Sequence, residues 1–193
     1  MEKNIAAFLK VMDANDNSTG GGTASGVAGA MAAGMVAMVA RLSIGKKNMA
    51  PDAHYDNIAT RGENLVKALF DGGREDSDAF AHVSTAYRMP KSTDQEKIER
   101  SKEIQRTMQH ATEVPLKNAQ GCHEVLELCY SLKDRFNKNA ASDLECAEHL
   151  AHAGMLGCVA NVRINLPSIK DETVVKSIEQ QLDKILEIIS LNK

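Results

Sequence analysis

The sequence predicts an all-α fold, an up-and-down bundle of about eight helices. Helix-forming Ala, Leu, Lys, Glu and Met dominate, while aromatic residues make up only 4% of the chain. Turn-bounded alternating apolar runs, the signature of strands, are missing. Apolar residues instead recur at helical spacing along almost the whole length.

Taken in order, a first helix is expected over Lys3–Asp13 and a second over Gly22–Ile44, opened by Gly20-Gly21-Gly22. The stretch from Asn17 to Ala40 carries no charge and is long enough to cross a bilayer. It lacks Leu, Ile and Phe, however, and its glycines and alanines recur at the small-xxx-small spacing of closely packed helices, as in Gly22 to Gly26 and Ala30 to Gly34. A buried central helix of a soluble bundle is therefore expected, with no membrane partner and no signal peptide.

Pro51 precedes a third helix over Asp52–Asp71, and a fourth follows over Arg74–Arg88. Pro90 lies in the next connection. Thr93–Ala111 and Pro115–Phe136 are read as separate helices, because a proline suits a first turn. The last two are Ser142–Asn165, ended by Pro167, and Asp171–Leu191. Short connections favour antiparallel neighbours. The final helix carries Val174, Val175, Ile178, Leu182, Ile185, Leu186 and Ile189 on one stripe. Docking on its own bundle and packing across a dimer are both compatible with that stripe.

The 193 residues form one expected domain, 1–193, long enough to bury a core without staples. Their 23 basic and 26 acidic residues, net charge -3, are spread along the chain, so no basic face points to nucleic acid. Cys122, Cys129, Cys146 and Cys158 lack CxxC spacing and read as reduced thiols, which favours the cytoplasm.

Five segments carry candidate chemistry. In Ser18–Gly26 the glycines let backbone amides approach a ligand at a helix start, although a turn with close helix packing explains them equally well. No Lys-Ser/Thr pair follows, so this is not a phosphate loop of the P-loop type. In Asn137–Glu145, Ser142 and Glu145 have capping-box spacing, which puts Asp143 in the first turn of its helix. Capping alone accounts for such an aspartate. Further along, Glu145, Cys146, Glu148, His149 and His152 crowd two turns, but neither HExxH nor a paired CxxC is present, and no metal is expected. Arg163, near the end of the same helix, and Arg41, Lys46 and Lys47 after the second helix suit either a bound carboxylate or a solvated helix end.

Taken together, these residues resemble one family. The run Gly20–Gly26 with its Ala/Met helix, then Met38–Lys47, is similar to the opening of the formiminotransferase-cyclodeaminase C-terminal domain and of the stand-alone methenyltetrahydrofolate cyclohydrolases. Asp76–Phe80, Tyr87–Lys91, Ala111–Leu116, Ser142-Asp143 and Asn161–Leu166 match in the same order. Where that family usually has prolines before the glycines, this chain has Asn17-Ser18-Thr19.

The resemblance implies an all-helical homodimer with a folate pocket, a tetrahydrofolate derivative as substrate, and no metal. It implies that Asp143 is catalytic. With the readings above, it marks Gly20, Gly21, Gly22, Lys46, Asn139, Ser142 and Arg163 as candidate substrate-binding positions. The expected reaction is hydrolysis of 5,10-methenyltetrahydrofolate to the 10-formyl compound, preferred over formiminotetrahydrofolate cyclodeamination because no formiminotransferase domain accompanies the sequence. Asp143 would move the proton or clamp the pterin. The competing readings are a non-catalytic helical interaction module, using the apolar last helix, and a metal-binding bundle around His149 and His152.

Overall fold

The computed structural model describes residues 2–191. Among them are six α-helices: α1 (Glu2–Val11), α2 (Gly21–Ser43), α3 (Asp52–Tyr87), α4 (Asp94–Leu132), α5 (Ala141–Asn165) and α6 (Glu172–Leu191). Short 3-10 turns at Lys138–Ala140 and Leu166–Ser168 flank α5. There is no strand among the described residues. The all-α expectation holds, but the count of about eight does not, because two pairs of expected helices are single long ones.

The first expected break, between Asp71 and Arg74, lies inside α3. Gly72 and Gly73 are there for packing. A Cβ on Gly72 would sit 2.0 Å from Asn118 Oδ1, and one on Gly73 would sit 3.0 Å from the Thr23 carbonyl. Burial against α2 and α4 outweighs the modest helix penalty of glycine, about 1 kcal/mol per residue.

The second expected break, before Pro115, lies inside α4. A mid-helix proline leaves the carbonyl four residues earlier without its donor. Here that carbonyl belongs to Ala111, and Asn165 Nδ2 donates to it from α5 at 2.9 Å. The side chain replaces the missing backbone bond, and α4 continues. Asn165→Leu should therefore cost about 1–3 kcal/mol, the usual scale for a buried carbonyl left unsatisfied. Denaturant titration checks this, and Pro115→Ala in the same background should recover part of the loss.

The capping box expected at Ser142 is not formed. The 3-10 turn runs directly into α5, whose N-cap is Ala140 without a side-chain bond. Asn137 caps that turn instead, accepting from the Asn139 N–H at 3.2 Å. Asp143 does stand in the first turn of α5, as expected. A capping box forms at Thr93 and Glu96, where α4 begins.

α2 is the centre of the bundle, packed on α3, α4 and α5. It is long and apolar enough to cross a membrane, yet Ala32, Ala33, Val36, Val39 and Ala40 are buried within the protein. The backbones come close because their glycines meet. A Cβ on Gly26 would lie 2.9 Å from Gly73 Cα, and one on Gly154 would lie 2.8 Å from the Ser25 carbonyl. α6 closes the core with Ile178, Leu182 and Ile185, so its stripe docks at least in part on its own bundle. The side chain of Ile189 lies outside the described residues.

Candidate active site

The close contact between Gly26 and Gly73 fixes what happens one turn away. There, Asp76 of α3 is set directly against the start of α2. A Cβ on Gly22 would lie 2.2 Å from Asp76 Oδ1, so only glycine leaves room for the carboxylate. The first α2 N–H groups have no intrahelical acceptor, and the N-cap Gly20 brings no side chain to satisfy them. The Gly20 carbonyl already accepts from the Ala24 N–H at 3.0 Å.

Around this point lies a cleft of about 420 Å³, within the usual range for a small-molecule site. Asp76, Phe80, Val83 and Tyr87 line it from one face of α3. Asn161, Ile164 and Asn165 line it from α5, and the loop 17–20 closes one end. Ser77 Oγ donates to the Ser18 carbonyl at 3.1 Å, which ties that loop to α3. The Thr19 hydroxyl is buried without a partner, a polar group left for a ligand. Phe80, Tyr87 and Ile164 are exposed despite their size. They offer apolar walls to a flat ring.

Both asparagine amides have fixed orientations. Asn161 Nδ2 donates to the Gly157 carbonyl at 2.8 Å and Asn165 Nδ2 is held by Ala111. Each therefore keeps its Oδ1 as the group free to accept from a ligand. Burial pushes the Asp76 carboxyl up to about 6, against the pull of the neighbouring Thr23 hydroxyl and amide. A carboxyl that ionises just below neutrality is suited to take and return protons.

The residues singled out from the sequence fall in three places. Gly20, Gly21 and Gly22 line this cleft. Lys46, Asn139, Ser142 and Asp143 gather at the other end of α2. There, Asn137 donates through Nδ2 to the Leu42 carbonyl and through its backbone N–H to Ser43 Oγ. With 23 residues at about 1.5 Å each, α2 holds these two groups roughly 35 Å apart within one chain. Arg163 faces a separate groove beside α6, lined also by Leu166, Ile169, Glu172 and Lys176. Asp76, Phe80, Tyr87, Asn161 and Asn165 had no role assigned from the sequence, although all lie in segments that carried the resemblance. Their signal was the spacing 76, 80, 83, 87 on one helix face.

His149 and Glu145 approach to 3.7 Å on the exposed face of α5, and His152 Nε2 lies 3.3 Å from the Tyr130 hydroxyl. No group of three or more metal-type ligands comes together among the described residues.

Fold and cleft together define an all-helical domain with a cleft of small-molecule size at the start of its central helix. Residues 4–184 match the formiminotransferase-cyclodeaminase family model, and the chain belongs to that family. It is 33% identical to the methenyltetrahydrofolate cyclohydrolase of Methylorubrum extorquens, over 94% of this chain and 88% of that protein. It is 23% identical to the formimidoyltransferase-cyclodeaminase of Rattus norvegicus, over 97% of this chain but only 35% of that longer protein. Among solved structures, the formiminotetrahydrofolate cyclodeaminase of Thermotoga maritima aligns with a TM-score of 0.82 at 30% identity, covering 93% of this chain and 86% of that one.

Proposed function

We propose that the protein is a methenyltetrahydrofolate cyclohydrolase, converting 5,10-methenyltetrahydrofolate and water to 10-formyltetrahydrofolate. The observation that carries this reading is Asp76, a carboxyl pushed up to about 6 and set against the glycine start of α2 in the cleft. The similarity to the Methylorubrum extorquens enzyme, which extends over nearly the full length of both chains, supports the same choice.

The substrate carries a positive amidinium carbon between N5 and N10. The Asp76 carboxylate stabilises that cation and accepts a proton as water adds to the carbon. The neutral adduct then collapses. The Asp76 carboxyl gives its proton to N5, the C–N5 bond breaks, and the formyl C=O forms on N10 as the hydroxyl proton passes to the carboxylate and from there to solvent. One water is consumed and one proton is released overall. Phe80 and Tyr87 flank the ring, and the Oδ1 atoms of Asn161 and Asn165 accept from its N–H edge.

Formiminotetrahydrofolate cyclodeamination is the second reading, favoured by the likeness to the Thermotoga maritima structure. It uses the same tetrahedral carbon, with ammonia as the leaving group. A side-by-side assay separates the two. Methenyl absorbance should fall when the purified protein is given the methenyl compound, and should not rise with the formimino compound. The opposite pattern makes it a cyclodeaminase, and no change with either removes the folate reading.

A further inference from the structure

A proline inside a helix carries a cost, because its ring removes one backbone donor and crowds the carbonyl four residues earlier. Pro115 stands well inside α4 and is buried there. The carbonyl it leaves without a backbone donor is that of Ala111, a residue lining the Asp76 cleft. The donor that replaces it, Asn165 Nδ2 at 2.9 Å, belongs to another cleft residue. The helix defect and its repair therefore both stand in the wall of the site.

That repair has a direction. A carboxamide presents donors on one side and an acceptor on the other, and a half-turn about its last bond exchanges them. The Ala111 carbonyl can only accept, so it holds Nδ2 of Asn165 and leaves Oδ1 for the cleft. Asn161 reaches the same orientation within its own helix, by donating to the Gly157 carbonyl at 2.8 Å. With the Asp76 carboxylate, the cleft thus presents three accepting side chains.

Any residue but proline at 115 would offer its own N–H to the Ala111 carbonyl, as the α-helical pattern requires. Asn165 would then compete for an acceptor already served, and its amide could settle either way round. The backbone beneath it would stay where it is, because the segment after α5 is fastened to α4 independently. Gln105 Nε2 donates to the Ser168 carbonyl at 3.0 Å, and Gln105 Oε1 accepts from the Lys170 N–H at 2.8 Å. One clip places Asn165, and a different one orients it.

We propose that Pro115 is a positioning residue for the substrate: by leaving the Ala111 carbonyl to Asn165 it locks that amide with Oδ1 toward the cleft, and so selects a ligand edge that donates hydrogen bonds. The lock stands on the geometry between α4 and α5. Its effect on substrate rests on the folate reading, in which the donating edge is the N–H edge of the pterin.

Two measurements test the lock and its consequence separately. The first needs no ligand: in NMR spectra of the wild-type protein, the side-chain amide of Asn165 is assigned by its disappearance in Asn165→Leu. Its bonded proton should exchange with solvent about tenfold more slowly than the side-chain amide of exposed Asn139. In Pro115→Ala that protection should be lost. Exchange as fast as that of Asn139 in the wild type, or protection kept in Pro115→Ala, overturns the lock. The second measurement is kinetic. Pro115→Ala should raise KM for methenyltetrahydrofolate about tenfold, the scale of one lost hydrogen bond, with kcat within about twofold of wild type. In Asn165→Leu the amide is already gone, so adding Pro115→Ala should raise KM no further. An unchanged KM in Pro115→Ala, or an equal rise in both backgrounds, overturns the positioning role. Protection that depends on Pro115 in a protein inactive on folates upholds the lock and rejects the folate reading.

Discussion

Asp76→Asn should lower kcat/KM by about a hundredfold or more, the common scale for a lost acid–base group, while leaving the helical content unchanged. The wild-type pH profile should carry an acid limb near 6, set by the raised carboxyl. The residual activity of the Asn variant should lack that limb. Stability should move the other way. The carboxyl ionises near 6 in the folded protein against an ordinary value of 3.8, so the native state resists losing that proton. Its stabilising contribution is complete below 3.8 and is lost as pH rises through about 6. At pH 8 the Asn variant should therefore melt higher than wild type, by an amount corresponding to about 3 kcal/mol, with the difference gone near pH 3. A carboxylate kept at a cost to folding is what a working site requires. A solvated structural aspartate would show neither effect.

Gly22→Ala should be nearly as damaging. Its methyl would sit 2.2 Å from Asp76 Oδ1, so the carboxylate must swing aside by about 1 Å, and misplacement on that scale costs on the order of a hundredfold in rate. Steady-state kinetics and circular dichroism should give low activity in a folded protein. The effect should also depend on Asp76. In an Asp76→Ala background the methyl meets open space, and the further loss should be small. Such non-additivity is the mark of two residues sharing one contact. Equal losses in both backgrounds would mean that Gly22 acts on something else.

The sequence made the central helix and its glycine entrance legible, because an uncharged Gly/Ala/Met run has few other uses in a bundle. It misled at Gly72-Gly73 and at Pro115, where residues that ordinarily stop a helix serve packing, and where Asn165 repairs α4 from 50 residues further along. Neither compensation is visible locally. Asp76 was hidden for a related reason. An aspartate in a polar stretch of helix reads as solvated, and only the close approach of Gly26 to Gly73 buries it against α2. Asp143 was the more conspicuous acid because a helix start announced it. The same fold holds it at the far end of α2, roughly 35 Å from the cleft within one chain.

The most direct test of the account is a crystal structure of the protein with a tetrahydrofolate derivative bound. The pterin should lie in the cleft between Phe80, Tyr87 and the Gly20–Gly22 turn, with the carbon bridging N5 and N10 beside the Asp76 carboxyl. A pterin seated instead in the groove between α4 and α6, against Gln109, Lys117 and Gln181, with the Asp76 cleft empty, would contradict it.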